Sequence, residues 1–404
     1  MQLDDDARRL LDGAGGEAAR KSMEILVALG TIYEAERLIP VRSAQISGVS
    51  YANLGDAGLE LLEAWARDGR VACPSTLNPA GMDLVAWRAM GIPEEFAERQ
   101  LRIVRAYERM GVVPSCTCTP YFAGNRPAAG EHVAWSESSA VTFANSVLGA
   151  RTNREGGPSA LAAALCGRTP DYGLHRDGPR APQFLVRVEA PLPSAAHWGA
   201  LGAALGRLVP GRVPLLELSA GAAGDAGAPP EEHLMALSAA LPTFGGTSIF
   251  HVAGVTPEAG RHPRPADGVA IGRRDVAEAF AALDDGVEPD LVFVGCPHAS
   301  LATLRRVAGL LGGRPVRRTL WVATSRAVRE RAVGEGLVGA IEASGGLVVA
   351  DTCFVVAPLA GRFRAAVTDS AKGCFYARGP NAMKVRLASL EECVEAAVGG
   401  SRES

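Results

Sequence analysis

Between Val276 and Asp351 the chain alternates apolar runs of strand length with amphipathic runs of helix length, and no other stretch restricts the possible folds as much. Leu291 to Gly295, Thr319 to Thr324 and Gly346 to Asp351 read as strands, and Val276 to Leu283, Leu301 to Leu311 and Ala327 to Ser344 as helices. Strands joined through helical crossovers pair in parallel, so this region predicts an α/β sheet with helices on its faces. One more unit runs from Val367 to Tyr376, followed by a helix from Leu390 to Val398.

Upstream the same alternation is looser. Asp5 to Leu38 reads as two helices around a Gly-rich break at Gly13 to Gly16, and Ile39 to Ser50 as a strand leading into a polar turn. A helix over Gly58 to Gly69 then precedes a short strand, Arg70 to Cys73, that ends in PSTLNP; Glu94 to Met110 is helical and VVPSCTCTPY strand-like. Phe184 to Val188, Val213 to Leu218 and Thr247 to Val252 read as strands, Leu201 to Leu208 as a helix, and Ala220 to Pro230 as a loop rich in Gly, Ala and Pro. A chain of 404 residues is long enough for two or three such units, expected at 1–180, 181–275 and 276–404. The expected class is α/β, with several parallel or mixed sheets flanked by helices.

Charge narrows the partners. The net charge is −3 and the basic residues are scattered, which argues against nucleic acid. No stretch approaches the roughly 18 uninterrupted apolar residues of a membrane span, and the acidic start MQLDDDARRLLDG lacks the apolar core of a signal peptide. A cytoplasmic location is expected. There, eight cysteines are not expected to form a disulfide framework.

Three sets of residues, two of them continuous stretches, concentrate groups able to do chemistry. Val133 to Leu165 packs Glu137, Ser138, Ser139, Asn145, Ser146, Arg151, Thr152, Asn153, Arg154 and Glu155 among residues that otherwise read as core. Buried polar groups cost about 1–3 kcal/mol each when unpaired, so these either satisfy one another in a network or line a polar pocket. Cys118, Cys296 and Cys353 each stand where a strand is expected to end, which draws three thiols toward one sheet edge, suiting an iron–sulfur cluster or a zinc site. Buried apolar cysteines are the plainer alternative. The third set, TDSAKGCFY at Thr368 to Tyr376, is either a helix cap or an anion clamp in which Lys372 adds charge; His298, two residues after Cys296, is a neighbour of the thiols or an ordinary core histidine. Neither GxxxxGK[ST] nor a helix-opening GxGxxG is present.

STLNP at Ser75 to Pro79, CTPY at Cys118 to Tyr121, ESSAVTFANSVLGARTNREGGPS at Glu137 to Ser159, GRTPDYGLH at Gly167 to His175, GCPHAS at Gly295 to Ser300, DTCFVV at Asp351 to Val356 and TDSAKGCFY together resemble the aconitase X family, in order and over nearly the whole chain. The resemblance implies an aconitase-like arrangement of α/β domains without the swivel domain, and hydro-lyase activity on a small hydroxy acid. It also implies an iron–sulfur cluster, [4Fe-4S] or [2Fe-2S], on Cys118, Cys296 and Cys353. Lys372 and Ser139 become catalytic candidates, and Asn78, Ser138, Asn145, Arg151, Asn153 and Arg154 candidates for binding substrate. The family pattern has a histidine at Gln45 and an acidic residue near Thr303, departures that bear on substrate choice. Because the swivel domain of aconitases supplies a catalytic serine and this chain ends shortly after Val398, a separate small subunit is expected to bring that serine. Cis-3-hydroxy-L-proline is the expected substrate and 5-phosphomevalonate its alternative; an electron-transfer protein using the same cluster is the competing class.

Overall fold

The computed structural model describes residues 1–222 and 228–399, so part of the loop expected at Ala220 to Pro230 lies outside the described residues. Helices α1 (Asp5–Leu11) and α2 (Glu17–Ile32) form on either side of the Gly-rich break, where Gly13 and Gly16 take φ of 90° and 87°. After them come β1 (Leu38–Pro40), β2 (Ala44–Ile46), α3 (Tyr51–Trp65), β3 (Ser75–Leu77), α4 (Glu94–Arg109), β4 (Ala134–Trp135), α5 (Ser138–Phe143), α6 (Gly157–Cys166) and β5 (Arg168–Pro170). β2 is the centre of a parallel sheet ordered β3-β2-β4, and β1 pairs with β5 antiparallel.

Two expectations fail in this part. Arg70 to Cys73 is not a strand; pairing begins at Ser75, opposite Ala44. VVPSCTCTPY is not a strand either: Val113 makes a single bridge to Thr76, Pro114 has no N–H to donate, and Cys116 turns at φ 41°. Cys118 therefore sits in a loop instead of at a strand end.

The middle region contains β6 (Phe184–Val188), α7 (Ala195–Leu208), β7 (Pro214–Leu218), α8 (Glu231–Gly245), β8 (His251–Val252), β9 (Gly268–Ile271) and α9 (Arg273–Ala281), with the parallel sheet ordered β8-β7-β6-β9. α7 and α8 approach so closely that a Cβ on Gly206 would lie 2.7 Å from the Gly245 nitrogen, so the small residues here are required by contact.

The last region carries β10 (Leu291–Ala299), α10 (Leu301–Leu311), β11 (Thr319–Thr324), α11 (Arg326–Gly334), α12 (Leu337–Ala343), β12 (Leu347–Ala350), β13 (Ala365–Thr368), α13 (Ala371–Arg378), β14 (Lys384–Leu387) and α14 (Leu390–Val398). The single helix expected at Ala327 to Ser344 is two helices, because Gly336 takes φ 74° between them. All five strands are parallel in the order β12-β11-β10-β13-β14.

That order positions the site. From β10 the chain winds one way through β11 and β12, then returns to β13 on the other side, so a crevice opens beyond the carboxyl ends of β10 and β13. In the first sheet β2 stands between β3 and β4 in the same way. A shared core holding Met82, Trp198, Phe293 and Phe354 locks all three regions together. Among the described residues, no helix is long and apolar enough to cross a membrane.

Candidate functional site

The two crevices meet. Gln45 lies in β2 and Glu137 two residues past β4, while Cys296 lies toward the carboxyl end of β10 and the Asp369 to Lys372 turn follows β13. Ser370 caps α13, accepting from the Gly373 N–H at 2.9 Å, and this sets Lys372 in the first turn. The Lys372 ammonium reaches 235 residues back to pair with Glu137 Oε1, and it also donates to Ser138 Oγ at 3.1 Å. Both partners are buried.

Glu137 is itself fixed by α5, whose N-terminus it caps by accepting from the Ala140 N–H at 2.7 Å. The Ser139 hydroxyl donates to its Oε2 and the Ser138 hydroxyl to its Oε1. Burial pushes the Glu137 carboxyl up, but the Lys372 charge and these hydrogen bonds outweigh it and hold the group below the usual carboxylate range. For Lys372, burial acts downward and the Glu137 carboxylate more than compensates, leaving it above the usual lysine value. The pair is thus charged on both sides at neutral pH. Gln45, fully buried, joins neighbouring groups to it: its Oε1 accepts from the Glu137 N–H at 3.0 Å, while its Nε2 donates to Asn78 Oδ1 at 3.3 Å.

The three thiols of Cys118, Cys296 and Cys353 are buried beside this pair. Cys296 lies in β10 where its register with β11 shifts, between Val294 and Ala299, and Cys353 lies just past β12. Burial raises the Cys118 thiol well above its ordinary value, and Glu137 and the thiols of Cys353 and Cys296 raise it further; one local field connects all three sulfurs with the carboxylate. Burial likewise pushes Cys353 up to about 12, with Cys296 adding to it. Cys296 is raised by burial and eased by Lys372 and by a hydrogen bond with Ser370. The His298 N–H donates to Cys118 Sγ at 3.2 Å. Its imidazole is held down to about 4 by burial, hence neutral at physiological pH. Among the described residues no three His, Cys, Asp or Glu side chains gather closely enough to hold one metal ion. A cavity of about 50 Å³ reaches Cys296, Pro297 and His298, and Thr303 and Asp369 line both it and a neighbouring cavity of about 180 Å³.

The polar block divides in two. Its first part, Glu137 to Ser139, faces Lys372, whereas Asn145, Arg151 and Asn153 are committed elsewhere. Asn145 donates to the carbonyls of Thr152 and Ser248, and its Oδ1 accepts from Arg180 Nη1 at 3.0 Å. Asn153 donates to the Tyr172 carbonyl and accepts from the Leu174 N–H; Arg151 donates to the His175 carbonyl and pairs with Asp177. Arg154 is exposed, and its guanidinium has no hydrogen-bond or ion-pair partner among the described residues. Sequence reasoning overlooked Arg180, the hub of the second part, and it left Gln45 as a departure without a place. It also left Glu137 unpaired, since no spacing signal joins residues so far apart in the chain.

Family models for the first, second and third domains of aconitase X match residues 1–178, 182–281 and 289–399. The chain belongs to the aconitase X family. Among members of this aconitase X group, it is 49% identical over 386 residues to the phosphomevalonate dehydratase large subunit of Methanothermobacter thermautotrophicus, with 94% of each chain covered. It is 38% identical to the cis-3-hydroxy-L-proline dehydratase of Pseudomonas aeruginosa, covering 99% of this chain and 70% of that one. The holo-form crystal structure of Thermococcus kodakaraensis aconitase X superposes with a TM-score of 0.90 at 40% identity, covering 98% of this chain and 100% of the other. Both named relatives are dehydratases, and this chain is a carbon–oxygen hydro-lyase of the aconitase X type.

Proposed function

We propose that the chain is the large subunit of a two-chain dehydratase that removes water from 5-phosphomevalonate. The observation that carries the reading is the buried Lys372–Glu137 pair set against three thiols where the crevices of two parallel sheets meet. The greater identity to a phosphomevalonate dehydratase large subunit, over 94% of that chain, favours the phosphorylated acid over the hydroxyproline expected from sequence. Cis-3-hydroxy-L-proline is the second reading, supported by the 38% identical dehydratase.

Cys118, Cys296 and Cys353 would hold an iron–sulfur cluster. The donors suit one: three buried thiols, one of them already accepting a backbone N–H. Such a cluster supplies Lewis acidity that makes the substrate's hydroxyl a better leaving group.

The chain's own residues do the rest. Lys372 carries three N–H donors and gives two of them to Glu137 and Ser138, so the third remains for a substrate carboxylate. Glu137 keeps that lysine charged, and the preset donors stabilise negative charge that grows as the α-proton leaves. Asn78, linked through Gln45, binds polar groups of the substrate, and the free fork of Arg154 suits a phosphate or carboxylate. Asn145, Arg151 and Asn153 hold the wall behind them. The proton is taken by a serine of a small swivel-domain subunit.

The test is co-purification with such a subunit under anaerobic conditions, followed by visible spectroscopy and dehydration assays on both substrates. Cluster absorbance, with a higher kcat/KM for 5-phosphomevalonate, is expected. Cys296→Ser should abolish the absorbance and Cys393→Ser, buried in the core away from the crevice, should leave it. Equal effects of the two substitutions would refute the ligand set, and a preference for cis-3-hydroxy-L-proline would refute the substrate.

A further inference from the structure

His298 stands where three separate pieces of chain converge. It is fully buried and lies two residues beyond Cys296. Its Nε2 is 2.9 Å from the carbonyl oxygen of Thr352, the residue before Cys353. A carbonyl can only accept, so Nε2 carries the proton and Nδ1 has a free lone pair. The Thr117 hydroxyl, 2.9 Å from Nδ1, must then donate to it, and Thr117 is the residue before Cys118. The Thr119 hydroxyl, 3.1 Å from that of Thr117, continues the chain of bonds by donating to it. The backbone N–H of His298 donates to Cys118 Sγ itself. One residue thus bonds to each of the other two thiol-bearing segments while belonging to the third.

The geometry points to His298 as the positioning residue that holds the three thiol-bearing segments in a single arrangement. This rests on reading Cys118, Cys296 and Cys353 as one ligand set. The segments have little else in common: one is a loop that has left the first sheet, one is an irregular strand, and one follows an edge strand of the last sheet. A side chain with two opposed ring nitrogens spans the gap between two of them without rotamer freedom along its length. Asparagine can keep only the Nδ1 position and glutamine only the Nε2 position, so neither reproduces both bonds.

The test compares His298→Asn, His298→Gln and the isosteric Thr117→Val, each reconstituted anaerobically with iron and sulfide in the full chain. Two quantities are read: the rate at which a ferrous chelator removes iron, and backbone hydrogen exchange at 115–119, 295–299 and 351–355. His175→Gln serves as control, because it removes another buried histidine remote from the thiols. Iron release should be accelerated on the order of tenfold in Thr117→Val and more in both His298 variants, at parental rate in the control, as expected for loss of a supporting group around metal ligands. Exchange should rise in all three segments together in the His298 variants. Parental iron release with unchanged exchange would overturn the proposal, as would loosening confined to 295–299. A parent chain that takes up no iron would instead refute the iron–sulfur reading, and the exchange measurement would still decide the role of His298.

Discussion

Two buried ion pairs show what polar density in this chain is for. In one, Arg180 meets Glu258 with side-chain exposures of 0% and 4%; in the other, Lys372 meets Glu137 with 9% and 6%. Arg180 gives its Nε to Glu258, one Nη to Asn145 Oδ1 and the Leu174 carbonyl, and the other Nη to the carbonyls of Asn145 and Ala150. All five donors are used by the protein, so nothing remains for a ligand. Lys372 has a donor left over, stands at the carboxyl ends of parallel strands and shares its surroundings with three thiols. Both pairs are buried; Arg180 is saturated by the protein, and Lys372, on the reading proposed above, keeps a donor for substrate.

The contrast can be broken most severely at the arginine. Arg180→Met takes the close partner from the buried Glu258 side chain and strands three carbonyls, so chemical unfolding should show a loss of about 3–5 kcal/mol. A loss under about 1 kcal/mol would mean that the saturated pair is not structural. Glu137→Gln tests the other side. It retains shape but leaves the buried Lys372 ammonium without its countercharge, so stability should fall by about 3 kcal/mol, and unlike the Arg180 variant it should also lower turnover of the reconstituted enzyme on the order of 100-fold. A stability loss without loss of turnover would reverse the assignment.

Acid should also separate the two regions. Beside the Arg180 network, His175 is held down to about 3, by burial first and then by His132, whose ring nitrogen is 2.9 Å away. A histidine with a depressed folded value contributes stability that is complete above its ordinary value of about 6.5 and is lost as pH falls toward 3. The Glu137 carboxyl is depressed, so its contribution is complete above the ordinary carboxylate value and is lost as pH falls from there through the still lower folded value. Between pH 6.5 and 5, hydrogen exchange should therefore rise at 171–180 before it rises at 137–140, and His175→Gln should flatten the first response. Simultaneous loosening would contradict this order. The smallest effect is expected at Arg154→Lys: stability within about 0.5 kcal/mol of the parent, and kcat/KM lower by roughly tenfold through loss of one charge-assisted hydrogen bond. Parental kcat/KM would remove Arg154 from the site.

The last sheet was legible because β10, β11 and β12 are buried on both faces and read as continuous apolar runs between amphipathic helices. Helix α8 was not, since it is apolar or small around most of its circumference and contains Pro242, so it shows no stripe. Edge strands β9 and β14 are short and partly exposed, and left no strand signal. Cys118, Cys296 and Cys353 were selected partly for a placement that holds only in part, because Pro114 and Cys116 take the first of them off the sheet. In the polar block, composition marked a burden of polar groups but not which way each one points. Asn145 and Ser138 look equivalent in sequence, and only Arg180 and Lys372, far along the chain, distinguish them.

The most direct test is the turnover number of Lys372→Met in the assembled, iron-loaded enzyme. If the unsaturated lysine beside the thiols is the site of dehydration, this variant should bind iron as the parent does and turn over at least about 100-fold more slowly. Turnover within about twofold of the parent would show that the chemistry takes place somewhere else.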